Sequence, residues 1–152
     1  MIQSKNQINK YKIMSNRFHL AVPVLNLVEA TSFYCDFLAC TPGSYEAKKW
    51  QDINFWGNEL TLHYSDNSTF RERHNVDMGE VCVPHFGIHL IREDFNQLKE
   101  RIISNKNIAF FDEPYLRFLN DPREQETFFI EDPSKNVIEI KTMKNPETLF
   151  PE

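Results

Sequence analysis

The alternation of apolar and polar positions begins at Phe18. The run FHLAVPV puts Leu20, Val22 and Val24 on one face and His19, Ala21 and Pro23 on the other, which predicts a strand. Leu27–Leu38 follows with Leu27, Val28, Ala30, Phe33, Tyr34, Phe37 and Leu38 at helical spacing, and Pro42–Gly43 is expected to break that helix. Three short strand patterns come next, around Ser44–Ala47, Gln51–Trp56 and Glu59–Tyr64, the last two joined by a Gly57–Asn58 turn. Residues 65–81 are polar and largely unpatterned, as a linker would be. The order then restarts. His85–Ile91 reads as a strand, Glu93–Ser104 as a helix with Phe95, Leu98, Ile102 and Ile103 on one side, and further strands fall around Ala109–Phe111, Glu126–Ile130 and Asn136–Met143, with Asp132–Asn136 as the last turn.

The pattern predicts an α+β domain of two tandem βαβββ modules. Its boundaries are a polar N-terminal extension (1–16), module one (17–66), linker (67–81), module two (82–143) and C-terminal tail (144–152). Register tests the repeat. FHLAVPV lies over PHFGIHL with His19 matching His85, an offset of 85 − 19 = 66, and INFWGNELTLH lies over FIEDPSKNVIE with His63 matching Glu139, an offset of 139 − 63 = 76. The difference places an insertion within Phe111–Gln125, where a long loop on a repeated scaffold is a candidate for function.

Composition narrows the function classes. At 152 residues the chain can bury a full core, and its aromatic content, 13% with thirteen Phe, suits an apolar cavity as well as that core. The net charge is -5 and no basic block exists, which argues against nucleic-acid partners. No apolar run reaches the ~18 residues of a membrane span, and the leader lacks an apolar signal region. The three cysteines, Cys35, Cys40 and Cys82, form no CxxC pair and suggest reduced thiols and a cytoplasmic location, with Cys35 and Cys82 read as core.

His19, His85, Glu139 and His63 all fall on the strand faces opposite the apolar ones. Helices should cover the apolar faces and leave the other as the wall of a concave sheet. Two imidazoles and a carboxylate with open positions suit a divalent cation, either Fe2+ in oxygen chemistry or a Zn2+-type Lewis acid. A glutamate in an apolar cup also needs a compensating cation. His63 is a candidate fourth ligand; His89, two pleats from His85, and His74, in the linker, are not expected to bind metal.

The strand-leading His of FHLAVPV, the helical FYCDFLAC, the second PHFGIHL and the closing EDPSKNVIEIK resemble the vicinal oxygen chelate superfamily of glyoxalases, bleomycin and fosfomycin resistance proteins and extradiol dioxygenases, over residues 17–143. The resemblance implies a glyoxalase-like fold with His19, His85 and Glu139 as metal ligands, because that family places a ligating Glu after a D-P-x-x-N turn. Lys135 stands where a glycine is common. Glyoxalase-type isomerases generally present Glu or Gln at the fourth position, which His63 occupies here, so the resemblance favours a dioxygenase over a glyoxalase-type lyase or isomerase. A non-catalytic small-molecule-binding resistance protein is the third reading. Glu139 and His63 are then the candidate catalytic groups, and Tyr115, Arg117, Phe118, Gln125 and His89 the candidate substrate contacts, several of them on a loop expected to close over the cavity. The implied cofactor is one divalent ion per site, Fe2+ favoured, with Zn2+, Mn2+ or Ni2+ as substitutes. The implied partners are a small-molecule substrate and a second copy of the chain, in a homodimer.

Overall fold

The computed structural model describes residues 16–67, 73–76 and 79–150; most of the polar extension therefore lies outside the described residues. Module one comprises β1 (His19–Val24), α1 (Leu27–Ser32) continued by a π-helical turn (Phe33–Phe37), β2 (Thr41–Glu46), β3 (Trp50–Phe55) and β4 (Asn58–Tyr64). A hairpin of β5 (Arg73–Val76) and β6 (Gly79–Cys82) leads into module two: β7 (Phe86–His89), α2 (Arg92–Ser104), β8 (Asp112–Arg117), β9 (Gln125–Glu131) and β10 (Val137–Met143). Each module forms a four-stranded mixed sheet, in the order β1-β4-β3-β2 and β7-β10-β9-β8, its first and last strands running parallel. The two-module α+β expectation holds. Among the described residues no helix is long and apolar enough to cross a membrane.

Local chemistry accounts for the elements. Asn26 caps α1, its Oδ1 accepting from the amides of Val28 (2.9 Å) and Glu29 (3.2 Å). The helix stops at Ala39, whose φ of 60° is left-handed, and not at Pro42–Gly43, which lie inside β2 at an irregularity of its pairing with β3. The predicted strand at Ala109–Phe111 is displaced to β8, because Pro114 and a register shift between Asp112 and Tyr115 on this edge strand erase the two-residue alternation. Ile103 faces outward, 69% exposed, so α2 buries only Phe95, Leu98 and Ile102. Cys35 is half-buried, whereas Cys40 and Cys82 are buried. The segment read as a linker contains the β5–β6 hairpin, where pairing is carried by backbone hydrogen bonds that a polar sequence does not advertise. His74 lies on β5.

One core joins both modules. Val22, Val24, Ile53, Leu60 and Leu62 of the first sheet cluster with Phe128, Ile130, Ile138 and Ile140 of the second and with residues of both helices. The faces carrying His19 and Glu139 are thus both turned away from this shared core. The D-P-S-K-N turn is the latch between modules. Asp132 accepts from the Tyr34 hydroxyl (3.0 Å), the Asn136 side-chain amide (2.8 Å) and the amides of Ser134 and Asn136 (both 2.8 Å), while Asn136 donates to the Pro23 carbonyl (2.9 Å) and Ser134 accepts from Leu25 N (2.9 Å). Asp132→Ala strands these buried donors and should lower stability by about 3 kcal/mol in urea unfolding. A loss below about 1 kcal/mol would mean the latch is redundant.

The register corrects the repeat alignment. Glu139 pairs with Gly87 and Thr61 with Ala21, and Gly87 and Ala21 share the 66-residue offset of His85 and His19. Thr61, not His63, is therefore the counterpart of Glu139 (139 − 61 = 78), and His63 matches Lys141. The ungapped alignment slipped by two residues because the extra length of module two is spread over connections 105–111, 118–124 and 132–136, against 38–40, 47–49 and 56–57 in module one.

Candidate metal centre

Cross-strand pairing arranges the face of the second sheet turned away from the shared core in rows. Gly87, Glu139, Phe129 and Asp112 form one; His89, Lys141, Thr127 and Tyr115 the next; Met143, Gln125 and Arg117 the third. Glu139 is 4% exposed, walled by Phe129 and Val137, which cluster with Cys82, Val81, Phe111 and Tyr115. Burial pushes its carboxyl pKa up. The hydrogen bond from His85, the Lys141 ammonium and the Thr127 hydroxyl outweigh that and lower it to about 2, so Glu139 is an anion throughout the neutral range.

His85 precedes β7 and presents Nε2 to Glu139 Oε2 at 3.0 Å. Its Nδ1 faces the Cys82 carbonyl at the end of β6, and the Phe129 ring lies edge-on at 5.2 Å. The hydrogen bond to Glu139 raises the His85 pKa against the effect of burial. Thr127 Oγ1 reaches Glu139 Oε1 at 2.9 Å, and Lys141 Nζ reaches Oε2 at 2.9 Å. The strands carrying Glu139 and Gly87 are so close that a Cβ on Gly87 would stand 1.7 Å from the Glu139 carbonyl oxygen. Gly87→Ala must push the strands apart, and a loss of about 3 kcal/mol is expected in chemical denaturation. A variant as stable as the parent would contradict this register.

The first sheet carries the other predicted ligands. His19 has a 56% exposed side chain 3.4 Å from Glu59, and His63 is exposed next to Trp50 and Pro23. Thr61 is buried and donates to Asp52 at 2.6 Å. Within one chain His85 and Glu139 meet, and neither His19 nor His63 joins them; among the described residues no three His, Cys, Asp or Glu side chains converge as a metal site would require. Tyr115, Gln125, Arg117 and His89 share the Glu139 face, but on strands, so they line the wall and are not carried on a closing loop. Phe118 begins the 118–124 loop with φ 53° and stacks against Arg117 and Arg123, at 5.0 Å and 4.7 Å. Glu124 is engaged by the Asn120 amide within that loop (3.1 Å). Sequence reasoning missed Lys141, Thr127, Glu59 and Asp52. Lys141 and Thr127 follow from strand parity once Glu139 is fixed; Asp52 needs the β3–β4 register.

The donor chemistry present fits a divalent ion. His85 has Nδ1 turned to a carbonyl and Nε2 turned to the anionic Glu139 in an apolar wall, so an ion taking the place of the Nε2 proton would meet one nitrogen and one carboxylate together. Two of the three residues expected as ligands from the sequence are thus brought together.

Neither a family model nor a curated protein matches the chain. Solved structures do. The glyoxalase/bleomycin resistance protein/dioxygenase from Alicyclobacillus acidocaldarius is 30% identical, with a TM-score of 0.72 over 89% of this chain and 96% of that one. Lactoylglutathione lyase from Agrobacterium tumefaciens (17% identity, TM-score 0.59, 86% and 96% coverage) and the fosfomycin resistance protein FosX from Listeria monocytogenes (16%, 0.61, 86% and 94%) share the fold.

Proposed function

This chain belongs to the glyoxalase/bleomycin resistance protein/dioxygenase family of the vicinal oxygen chelate superfamily, and on that footing we propose that it is a divalent-metal enzyme acting on a small molecule that chelates the ion through two neighbouring oxygens. The observation that carries the proposal is the buried Glu139 carboxylate 3.0 Å from His85 Nε2, with the imidazole oriented by a backbone carbonyl. Glu139 and His85 would hold the ion together with His19 of a second copy, since the two ligand-bearing faces point away from the common core of one chain. When bound, the ion supplies Lewis-acid polarisation of the substrate oxygens, and Fe2+ adds redox capacity toward dioxygen. The protein side chains do the rest. Phe129, Val137 and Cys82 exclude water, Thr127 holds the Glu139 carboxylate, and Tyr115 lies in the next row with its phenol pKa raised by burial and by Glu139.

Dioxygenase chemistry is the leading reaction, because Glu139 is the carboxylate of the second-sheet centre and its counterpart in module one is Thr61. A second reading, glyoxalase-type lyase or isomerase, is favoured by Glu59 beside His19 and Asp52 beside Thr61, two carboxylates of the first sheet available for proton transfer. Oxygen consumption separates the two. Fe2+-loaded protein should take up O2 with a catechol-type diol and turn over the methylglyoxal–glutathione adduct poorly. Rapid turnover of that adduct with Zn2+ or Ni2+, and no O2 uptake on diols, would assign the lyase.

A further inference from the structure

Lys141 lies one row from the proposed centre, and its Nζ shares Glu139 Oε2 with His85 Nε2. Its side chain is 23% exposed and that of Glu139 6%, so the pair is largely removed from water. In the metal-free chain the ammonium is the counter-charge that lets Glu139 be buried as an anion. A divalent ion on the same carboxylate takes over that role and repels the ammonium. The displaced Lys141 then sits in a row with buried Thr127, half-buried Tyr115 and exposed His89, none of which carries a carboxylate, the other carboxylate of this face being Asp112 in the Glu139 row. With an ion present the charges of this face, the ion, Lys141 and Arg117 against Glu139 and Asp112, leave an excess of positive charge that an acidic substituent on a chelating substrate would meet.

From this we infer that Lys141 is a specificity-determining residue that pairs with an acidic group on the substrate, so that the substrate class is a vicinal-oxygen chelator bearing a carboxylate or similar anion. The inference rests on the metal-centre reading above. Lys141 Nζ reaches Glu139 Oε2 at 2.9 Å from two residues along β10, so an anion on a substrate bound at Glu139 comes within the reach of this one side chain. A dihydroxybenzoate carries such an anion, and a bare diol does not.

The test uses equilibrium binding to Zn2+-loaded, full-length protein, since Zn2+ binds chelators without turnover. Zinc content is measured first; protein that takes up no zinc refutes the metal centre itself, a failure distinct from the one tested next. Catechol and 3,4-dihydroxybenzoate are then titrated against wild type, Lys141→Met and Lys141→Arg. Wild type should prefer the acid by about tenfold or more, the order of one charge-assisted hydrogen bond. Lys141→Met should lose that preference with catechol affinity kept, and should bind zinc more tightly because a competing cation is gone, while Lys141→Arg retains the preference. A wild type that binds the two probes equally overturns the inference. So does a preference that survives in Lys141→Met, which would point to Arg117 in the next row, or a Lys141→Met protein with weakened zinc binding. If Lys141→Met does not fold, the wild-type comparison and Lys141→Gln decide in the same way.

Discussion

Glu139→Gln should reduce metal affinity by more than about a hundredfold, beyond the loss usual for outer-shell partners. The substitution keeps the shape of the side chain and removes its charge. It leaves a buried amide facing the Lys141 ammonium at 2.9 Å and the His85 imidazole at 3.0 Å, where the carboxylate faced them before. His85→Ala should cost as much, because it removes the Nε2 donor atom whose ring the Cys82 carbonyl orients. Elemental analysis of protein purified without a chelating tag should then find about one ion per wild-type chain and only traces in either variant. Full occupancy of Glu139→Gln would remove Glu139 from the ligand set.

The second large effect concerns assembly. Both ligand-bearing faces are turned away from the shared core, and the His19 side chain is 56% exposed, so a second chain must bring His19 to the His85–Glu139 pair if it is a ligand. His19→Ala alone and Glu139→Gln alone should each be inactive. A mixture of the two, refolded together, should regain activity in a fraction of its dimers, because one of the two sites in each heterodimer receives His19 from one chain and His85 with Glu139 from the other. Light scattering should give a dimer. A monomer that still binds metal, or a mixture with no recovery, would exclude the shared site.

The sequence made the repeated βαβββ order legible because strand alternation and helical spacing are strong where one face meets the core, as in Leu20-Val22-Val24 and Phe95-Leu98-Ile102. The edge strand β8 escaped because Pro114 and a register shift break its alternation, and the β5–β6 hairpin because its polar sequence shows no apolar alternation. The site was half legible. His85 and Glu139 come together as expected, whereas the pairing of His63 with Glu139 depended on an ungapped alignment that three unequal connections invalidate. Lys141 was hidden for a different reason. A lysine in a strand reads as solvated, and only the geometry reveals that it neutralises a buried carboxylate.

The central claim is that an ion sits on His85 and Glu139 with His19 of a second copy as third ligand. Anomalous diffraction from crystals of metal-loaded protein, collected at the absorption edge of the bound ion, tests it directly. The account predicts one strong peak per chain at about 2.0–2.2 Å from His85 Nε2 and a Glu139 oxygen, with the imidazole of His19 from the neighbouring copy completing the set. A peak bound by other residues, or an ion-free His85–Glu139 pair still bridged by Lys141 in protein that carries metal elsewhere, would contradict it.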